Sequence, residues 1–342
     1  MKILIYSPVF YPSIGGLEMV VLILADQFSL HGHEVKVVCT TQEMEGESKL
    51  FPFEVIRYPR PQYLLKLVKW GDVFFQANVS LKGIYPLLIH PRPFVISHNG
   101  WYTRSNGKKS WQDYLKHFAT NFATNISVSQ AVADHLSVAS TVIPNLYQDE
   151  LFYEMPEIPK SKDIVFLGRL VSQKGIHLLL NALADLKQKN ITPNLTIIGQ
   201  GPEENGLHKL IQRFDLANQV VFTGLQIGQQ LTKTLNEHKI MVVPSISNEG
   251  FGVVALEGIA CGCVVIGSNS GGIKEAIGNC GLNFSNGNVE ELTDILFKLL
   301  TNPELLNRYR QSAKEHLIKH SSVTVAEAYL NVIKKAIYDF NS

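Results

Sequence analysis

Ile3-Leu4-Ile5-Tyr6 is a short apolar run closed by Ser7-Pro8, and Val35-Lys36-Val37-Val38-Cys39 is a second run about thirty residues on. A contiguous apolar run of this length reads as a strand buried on both faces of a parallel sheet. Between them lie a glycine-containing loop, Tyr11 to Gly16, and a helical stretch from about Leu17 to His31. Strand, helix and strand in that order form a βαβ unit, the kernel of a doubly wound α/β fold. Further strands are expected at Gly71-Phe75, Phe94-Ser97, Asn125-Val128 and Ser140-Ile143.

The pattern then restarts. Pro144, Pro156 and Pro159 punctuate a polar stretch, Gln148 to Lys162, which reads as a linker. After it Ile164-Val165-Phe166-Leu167 repeats the opening strand, and Ile176, Leu179, Leu180, Leu183 and Leu186 keep helical 3/4 spacing. Leu195-Ile198, Val220-Phe222, Ile240-Val243 and Val264-Ile266 complete a second parallel sheet, and the tail beyond about Asn288 is helical. The reading is two Rossmann-like domains, residues 1–147 and 148–322. Ligands of open parallel sheets bind outside the carboxyl ends of the strands, so two such edges facing one another would make a cleft.

The chain has 342 residues, 45% hydrophobic and 18% charged, with 31 Lys+Arg against 30 Asp+Glu. That apolar fraction excludes a disordered chain, and a net charge of +1 argues against a nucleic-acid binder. Four cysteines, Cys39, Cys261, Cys263 and Cys280, make no disulfide framework and read as buried small hydrophobes in a reducing compartment. Pro8 and Pro12 interrupt any signal-peptide core, and the apolar run Met19 to Ala25 falls short of the roughly 18 residues a spanning helix needs. A cytoplasmic protein is expected.

Three loops carry chemistry. Gly15-Gly16 joins a strand to a helix start, where backbone N–H groups and the helix dipole suit a phosphate; taken alone, a tight turn is the favoured reading. The nicotinamide fingerprint G-x-G-x-x-G is missing there, and after Gly199-Gln200-Gly201 the third glycine comes late, at Gly206. Gly168-Arg169 through Lys174-Gly175 leaves the end of a strand with two cations that can neutralise a diphosphate without a metal, or stand as ordinary solvated bases. Asn248-Glu249-Gly250-Phe251-Gly252-Val253 runs into a helix holding Glu257; its N–H groups suit phosphate, and its carboxylates suit sugar hydroxyls. That combination points to a nucleotide-sugar.

The Glu249 to Glu257 segment resembles the E-x7-E motif of retaining GT-B glycosyltransferases, specifically glycosyltransferase family 4. Gly168-Arg169, Lys174-Gly175, Ile198 to Pro202, Phe222-Thr223-Gly224 and Gly271-Gly272-Ile273 with Glu275 resemble that family in the same order, as do Gly15-Gly16-Leu17-Glu18, His98 and Ile143-Pro144-Asn145 in the first half. The resemblance implies the GT-B architecture, with a last helix, about 323–342, packing back on the first domain. It implies a nucleotide-diphospho-sugar donor, UDP-linked, and a glycan or lipid-linked acceptor. Glu257 would hold the ribose hydroxyls and Glu249 those of the transferred sugar. Arg169 and Lys174 would bind the diphosphate, helped by N–H groups of Gly15-Gly16 and of Gly250 to Val253, with Gly199 in the same site. His98 would stand at the reaction centre, or be a core histidine, and Leu225 would meet the base through its backbone. Cys261-Gly262-Cys263-Val264 departs from the family's Gly-x-Pro-Val, and Asn145-Leu146-Tyr147 lacks its Gly-Val-Asp.

No Asp-x-Asp occurs, so no metal and no other cofactor is expected. A nucleotide-sugar epimerase or hydrolase, or a non-catalytic sensor, are the competing readings on the same fold. On the acceptor side stand Glu18, Trp101, Tyr102 and Arg104, with Lys108, Lys109 and Trp111 close behind. Aromatic and basic residues together suit a glycan or a headgroup surface, which leaves room for peripheral association with a membrane face. Residues 101–111 read as an acceptor loop, and Tyr63 to Trp70 as a core-facing helix with snorkelling lysines.

Overall fold

The computed structural model describes residues 1–13, 15–43, 50–102 and 110–342. Its contacts divide the chain into two compact units, Met1–Leu146 with Ser321–Ser342, and Tyr147–His320. The first unit holds seven strands: β1 (Lys2–Ser7), β2 (Glu34–Cys39), β3 (Glu54–Arg57), β4 (Val73–Ala77), β5 (Phe94–His98), β6 (Thr124–Ser127) and β7 (Thr141–Val142), in the order β3-β2-β1-β4-β5-β6-β7. All pairs are parallel, with Ile3 opposite Val35 and Val73. Successive residues of β1 face opposite sides, as strand geometry requires. Ile3 and Ile5 pack with Val20, Leu24 and Phe28 of the helix Gly16–Leu30 and with Tyr329 and Ile333 of the last helix, Ser322–Asn341. Leu4 and Tyr6 pack on the other side with Leu64, Leu67 and Val68 of the helix Pro61–Trp70, which is therefore core-facing. Tyr329 is fully buried and shares a 2.8 Å hydrogen bond with Ser97 Oγ.

The second unit holds β8 (Lys162–Leu167), β9 (Leu195–Ile198), β10 (Val220–Gly224), β11 (His238–Val243), β12 (Val264–Ser268) and β13 (Gly281–Phe284), parallel throughout, in the order β10-β9-β8-β11-β12-β13. One face of this sheet buries Ile164, Phe166, Ile197, Ile240 and Val242 against Leu179, Leu183 and Leu186 and against Leu292, Leu296 and Leu299. In both sheets the order reverses beside the first strand, the topological switch at which α/β folds bind ligands.

Two expectations need correction. The strands β3 and β13 lie at sheet edges and were not expected, because Glu-Val-Ile-Arg and Gly-Leu-Asn-Phe have no continuous apolar run. The stretch from Gln148 to Lys162 is not a free linker: Phe152 and Met155 are buried, Met155 N donates to Asn236 Oδ1 at 2.8 Å, and Thr232 Oγ1 donates to the Leu151 carbonyl at 3.1 Å. The prolines that suggested a linker occur in chain clamped onto the helix Gly228–Asn236. The four cysteines are free and buried. No helix among the described residues is long and apolar enough to cross a membrane.

Candidate functional site

The second unit gathers its sequence-marked residues at the carboxyl ends of β8, β9, β11 and β12. Glycines let these loops approach one another. A Cβ on Gly199 would stand 1.9 Å from the Gly168 carbonyl oxygen, and one on Gly175, whose φ is +67°, would stand 1.9 Å from that of Pro244. Backbone bonds lock the same loops together: Leu170 N to Gln200 O at 2.9 Å, and Ile246 N to Gln173 O at 2.8 Å. The Gly168–Gly175 loop is thereby held between the loops after β9 and β11.

That clamping brings Lys174 to Glu249. Lys174 Nζ is ion-paired with Glu249 Oε1, both side chains being largely buried. The same carboxylate oxygen accepts from Ser245 Oγ at 2.9 Å. The Glu249 carbonyl accepts from Gly272 N at 2.9 Å, fixing the residue from the β12 side. Arg169 is exposed and makes no ion pair among the described residues, so its guanidinium fork is open to a ligand.

Downstream, the helix Val253–Ala260 begins at Gly252, whose φ of +92° turns the chain into the helix, and no side-chain cap closes its N-terminus. Phe251 is buried, its ring centroid 5.4 Å from that of His320, so side-chain packing anchors the loop whose backbone N–H groups start the helix. Glu257 sits more than one turn in. Its carboxyl makes no side-chain hydrogen bond with the described residues, and burial pushes its pKa up to about 7. Leu225 follows Gly224 at the end of β10 and is exposed.

Serines that carried no signal in the sequence hold this frame. Ser268 Oγ donates to the Ser245 carbonyl and Ser270 Oγ to that of Ser247, each at 2.5 Å, tying the loops after β11 and β12. Ser245-x-Ser247 and Ser268-x-Ser270 each stand just past a strand, but nothing in those pairs names the carbonyl that each hydroxyl meets.

In the first unit Gly15 caps the helix Gly16–Leu30 without a side-chain hydrogen bond. Glu18 folds back over it: a Cβ on Gly15 would meet Glu18 Oε2 at 2.4 Å. An acidic side chain at a helix start suits the dipole and competes with phosphate for the same N–H groups. Of the two readings of His98, a residue at the reaction centre or a core histidine, its surroundings are those of the second. It is fully buried; Nδ1 is 2.6 Å from Tyr102 Oη, and Nε2 is 2.9 Å from Asn125 Oδ1. Asn125 Nδ2 donates to the Thr120 and Ala123 carbonyls, leaving Oδ1 to accept from His98 Nε2–H. Nδ1 then accepts from Tyr102, whose oxygen accepts in turn from Val79 N at 3.1 Å. Desolvation holds the imidazole neutral, its pKa lowered to about 4. With both nitrogens taken, His98 positions this corner of the sheet, and Tyr102, buried beside it, is a structural partner rather than an acceptor contact. Trp101 is half-buried with its ring 6.1 Å from His135, while Arg104, Lys108 and Lys109 lie outside the described residues.

Two family models match adjoining stretches of the chain. Residues 14–147 match Glycosyltransferase Family 4, and residues 148–316 match Glycosyl transferases group 1. An uncharacterised glycosyltransferase of Methanocaldococcus jannaschii, MJ1178, is 30% identical over 217 residues, 61% of this chain and 58% of that protein. A D-inositol 3-phosphate glycosyltransferase of Corynebacterium jeikeium is 31% identical over 178 residues, 49% of this chain and 42% of that one. The matched part thus spans about half the length of these relatives. Among solved structures, sucrose-phosphate synthase from Thermosynechococcus elongatus aligns with a TM-score of 0.82 at 17% identity, over 99% of this chain and all of that one. Anabaena Alr3699/HepE, solved in complex with UDP, aligns at 0.81 with 20% identity over 98% and 100%. Paired parallel sheets with Glu249, Glu257, Arg169 and Lys174 at the strand ends of the second, matched along both halves by models of one enzyme family, make this chain a member of glycosyltransferase family 4 with the two Rossmann-like domains of the GT-B fold.

Proposed function

We propose that this protein is a retaining, metal-independent glycosyltransferase that moves a hexose-type sugar from a UDP-sugar to a hydroxyl of a glycan or lipid-linked acceptor in polysaccharide or glycoconjugate assembly. The observation that carries the reading is the Lys174–Glu249 pair, with the exposed Arg169 on the same loop as the lysine and, on the helix that follows the glutamate, a carboxyl at Glu257 that is desolvated yet unbonded among the described residues. A cation for the diphosphate and a carboxylate for the sugar hydroxyls stand in contact, as one nucleotide-sugar would require. The UDP and UDP-glucose named with the Anabaena structures support the choice of base and donor.

In this assignment Arg169 and Lys174 take the diphosphate, with the N–H groups of Gly250 to Val253, Glu249 orients the sugar, and Glu257 accepts from the ribose hydroxyls. The acceptor oxygen bonds to the anomeric carbon as the bond from that carbon to the diphosphate oxygen breaks. The acceptor proton passes to the departing phosphate oxygen, and both partners stay on one face of the sugar. The two cations stabilise the developing charge, which makes a divalent ion dispensable. His98 has no part in proton transfer here, since neither nitrogen is free.

The deciding measurement is turnover with UDP-hexoses in EDTA, read by NMR at the anomeric proton. Product of retained configuration is expected; inverted product, or turnover that needs a divalent ion, would overturn the mechanism. Donor consumed equally fast without acceptor would favour a hydrolase or epimerase.

A further inference from the structure

Lys160, Lys239 and Arg310 line one cavity of about 200 Å³ in the second unit, and no acidic residue among the described ones lines it with them. Lys160 precedes β8, Lys239 is the second residue of β11, and Arg310 belongs to the helix Pro303–Gln311. The cavity therefore lies at the amino ends of the strands, the opposite edge of the sheet from the loops that hold Arg169, Lys174 and Glu249. Leu300, Pro303 and Leu306 are the apolar part of its lining, and the exposed Asn307 completes it.

Two of the three cations are set in place by backbone carbonyls. Lys160 Nζ donates to the carbonyls of Cys261 at 2.7 Å, Asn236 at 3.1 Å and His238 at 3.4 Å, which uses all three of its protons. Arg310 Nε donates to the Gly262 carbonyl at 2.9 Å. Carbonyls carry only partial charge, so these bonds neutralise neither cation. The Glu154 carboxylate acts on both through space, but neither forms an ion pair among the described residues. Burial holds both below their usual pKa values. Arg310 is also under-used as a donor: Nη1 reaches Asn307 Oδ1 only at 3.3 Å, and Nη2 is buried without an acceptor among the described residues. Lys239 donates to Asp163 Oδ1 at 2.8 Å, which uses one of its three protons.

We infer that this cavity binds a phosphate group, held by the Arg310 guanidinium and the Lys239 ammonium, with Lys160 adding fixed positive charge. A desolvated cation without a counter-charge is costly, and one dianion offsets that cost for two of them. The planar fork of arginine matches phosphate oxygens, and lysine adds a point charge. At about 200 Å³ the cavity falls below the roughly 300 Å³ at which pockets for drug-sized ligands begin, so it takes a phosphate group with a few further atoms and not a nucleotide-sugar. Cys261 and Gly262, whose carbonyls Lys160 and Arg310 hold, directly follow the helix Val253–Ala260 that carries Glu257. The phosphate cavity and the donor loops thus stand at opposite ends of one helix.

The test is the thermal midpoint of the full chain in potassium phosphate against potassium chloride of equal ionic strength. Phosphate should raise it by about 2–4 °C, and R310Q should lose that rise. Because R310Q also removes the bond to the Gly262 carbonyl, N307D is the second variant: Asn307 is exposed, and a carboxylate there supplies the negative charge from within the chain. N307D should start above the parent in chloride and gain little from phosphate. R169Q, at the donor loops, should keep the gain. Glycerol phosphate is the second probe. The same rise at about tenfold lower concentration marks an ester as the occupant, and an equal or weaker effect marks the free ion; both support the site. The inference is overturned if phosphate gives no rise, or if R310Q and N307D gain as much as the parent, as a general salt effect would make them. It is overturned equally if the rise is lost in R169Q and kept in R310Q. Turnover enters none of these readouts, so this site and the donor assignment fail separately.

Discussion

Lys174 Nζ and Glu249 Oε1 form an ion pair that joins the loop after β8 to the loop after β11, and Ser245 Oγ donates to the same carboxylate oxygen. A diphosphate drawing on the lysine and a sugar drawing on the carboxylate would therefore act on one pair. K174M should lower kcat/KM by about 100- to 1,000-fold through loss of leaving-group stabilisation. E249Q should keep donor affinity within about threefold and reduce kcat by roughly 10- to 100-fold, the scale of a lost charge-assisted hydrogen bond. Calorimetric titration of the donor, paired with steady-state rates, separates the two effects; a large affinity loss in E249Q would contradict the division of labour.

Glu257 supplies a pH signature. Its carboxyl titrates at about 7 in the protein, against 4.5 in an ordinary glutamate. In the role proposed for it, ribose hydroxyls would donate to the ionised form, so donor binding would lower that value and release a proton. Donor affinity should rise as pH climbs toward 7 and level off above it. Calorimetry near pH 7 in two buffers of different ionisation enthalpy should show the release, and E257Q should bind weakly and without it.

Acid stability follows the histidines. His98 and His238 are both lowered to about 4 by burial, so between there and their usual 6.5 the unfolded chain binds protons that the folded chain refuses. Folding is therefore weakened as pH falls below 6.5. Glu257 acts in the opposite sense, since the folded state holds a proton that an unfolded glutamate gives up above 4.5, but it is one group against two. The thermal midpoint should drop between pH 7 and pH 5. H98N should start lower at pH 7 and lose less on acidification.

Gly271 has a φ of +59°, and a Cβ there would stand 2.0 Å from the Glu249 carbonyl oxygen. G271A must push that carbonyl away and weaken its bond from Gly272 N. A cost of about 1–3 kcal/mol in stability is expected, with a loss of turnover exceeding that of G206A. Gly206 is the control because a Cβ there meets nothing nearer than 3.8 Å.

The fold was legible wherever burial on both faces demanded an unbroken apolar run, as in Ile3 to Tyr6 and Ile164 to Leu167. Edges escaped this logic: one side of β3 is left to water, so Glu54 and Arg57 flank two apolar residues and no run forms. The candidate site was legible in Arg169, Lys174, Glu249 and Glu257, because charge set among glycines at strand ends has few structural uses. The role of His98 was not, because it depends on Asn125, 27 residues away, and on Tyr102 turning inward. Serine hydroxyls bonded to carbonyls across two loops are equally silent, since the partner is backbone and leaves no residue type to read.

The second unit begins at Tyr147 and ends at His320, and Tyr147 N donates to the His320 carbonyl at 3.4 Å. Its two ends are thus pinned together, and the whole unit is a loop inserted before the final helix of the first. The order in which the two units can finish folding then differs from the order in which they are begun. As the polypeptide leaves the ribosome, Tyr147 to His320 is complete and free to fold while the first sheet still lacks Val325, Tyr329, Leu330 and Ile333 to cover Ile3 and Ile5. The domain made first finishes last, and a nascent chain stalled just short of Ser321 would carry a closed second domain and an open first one.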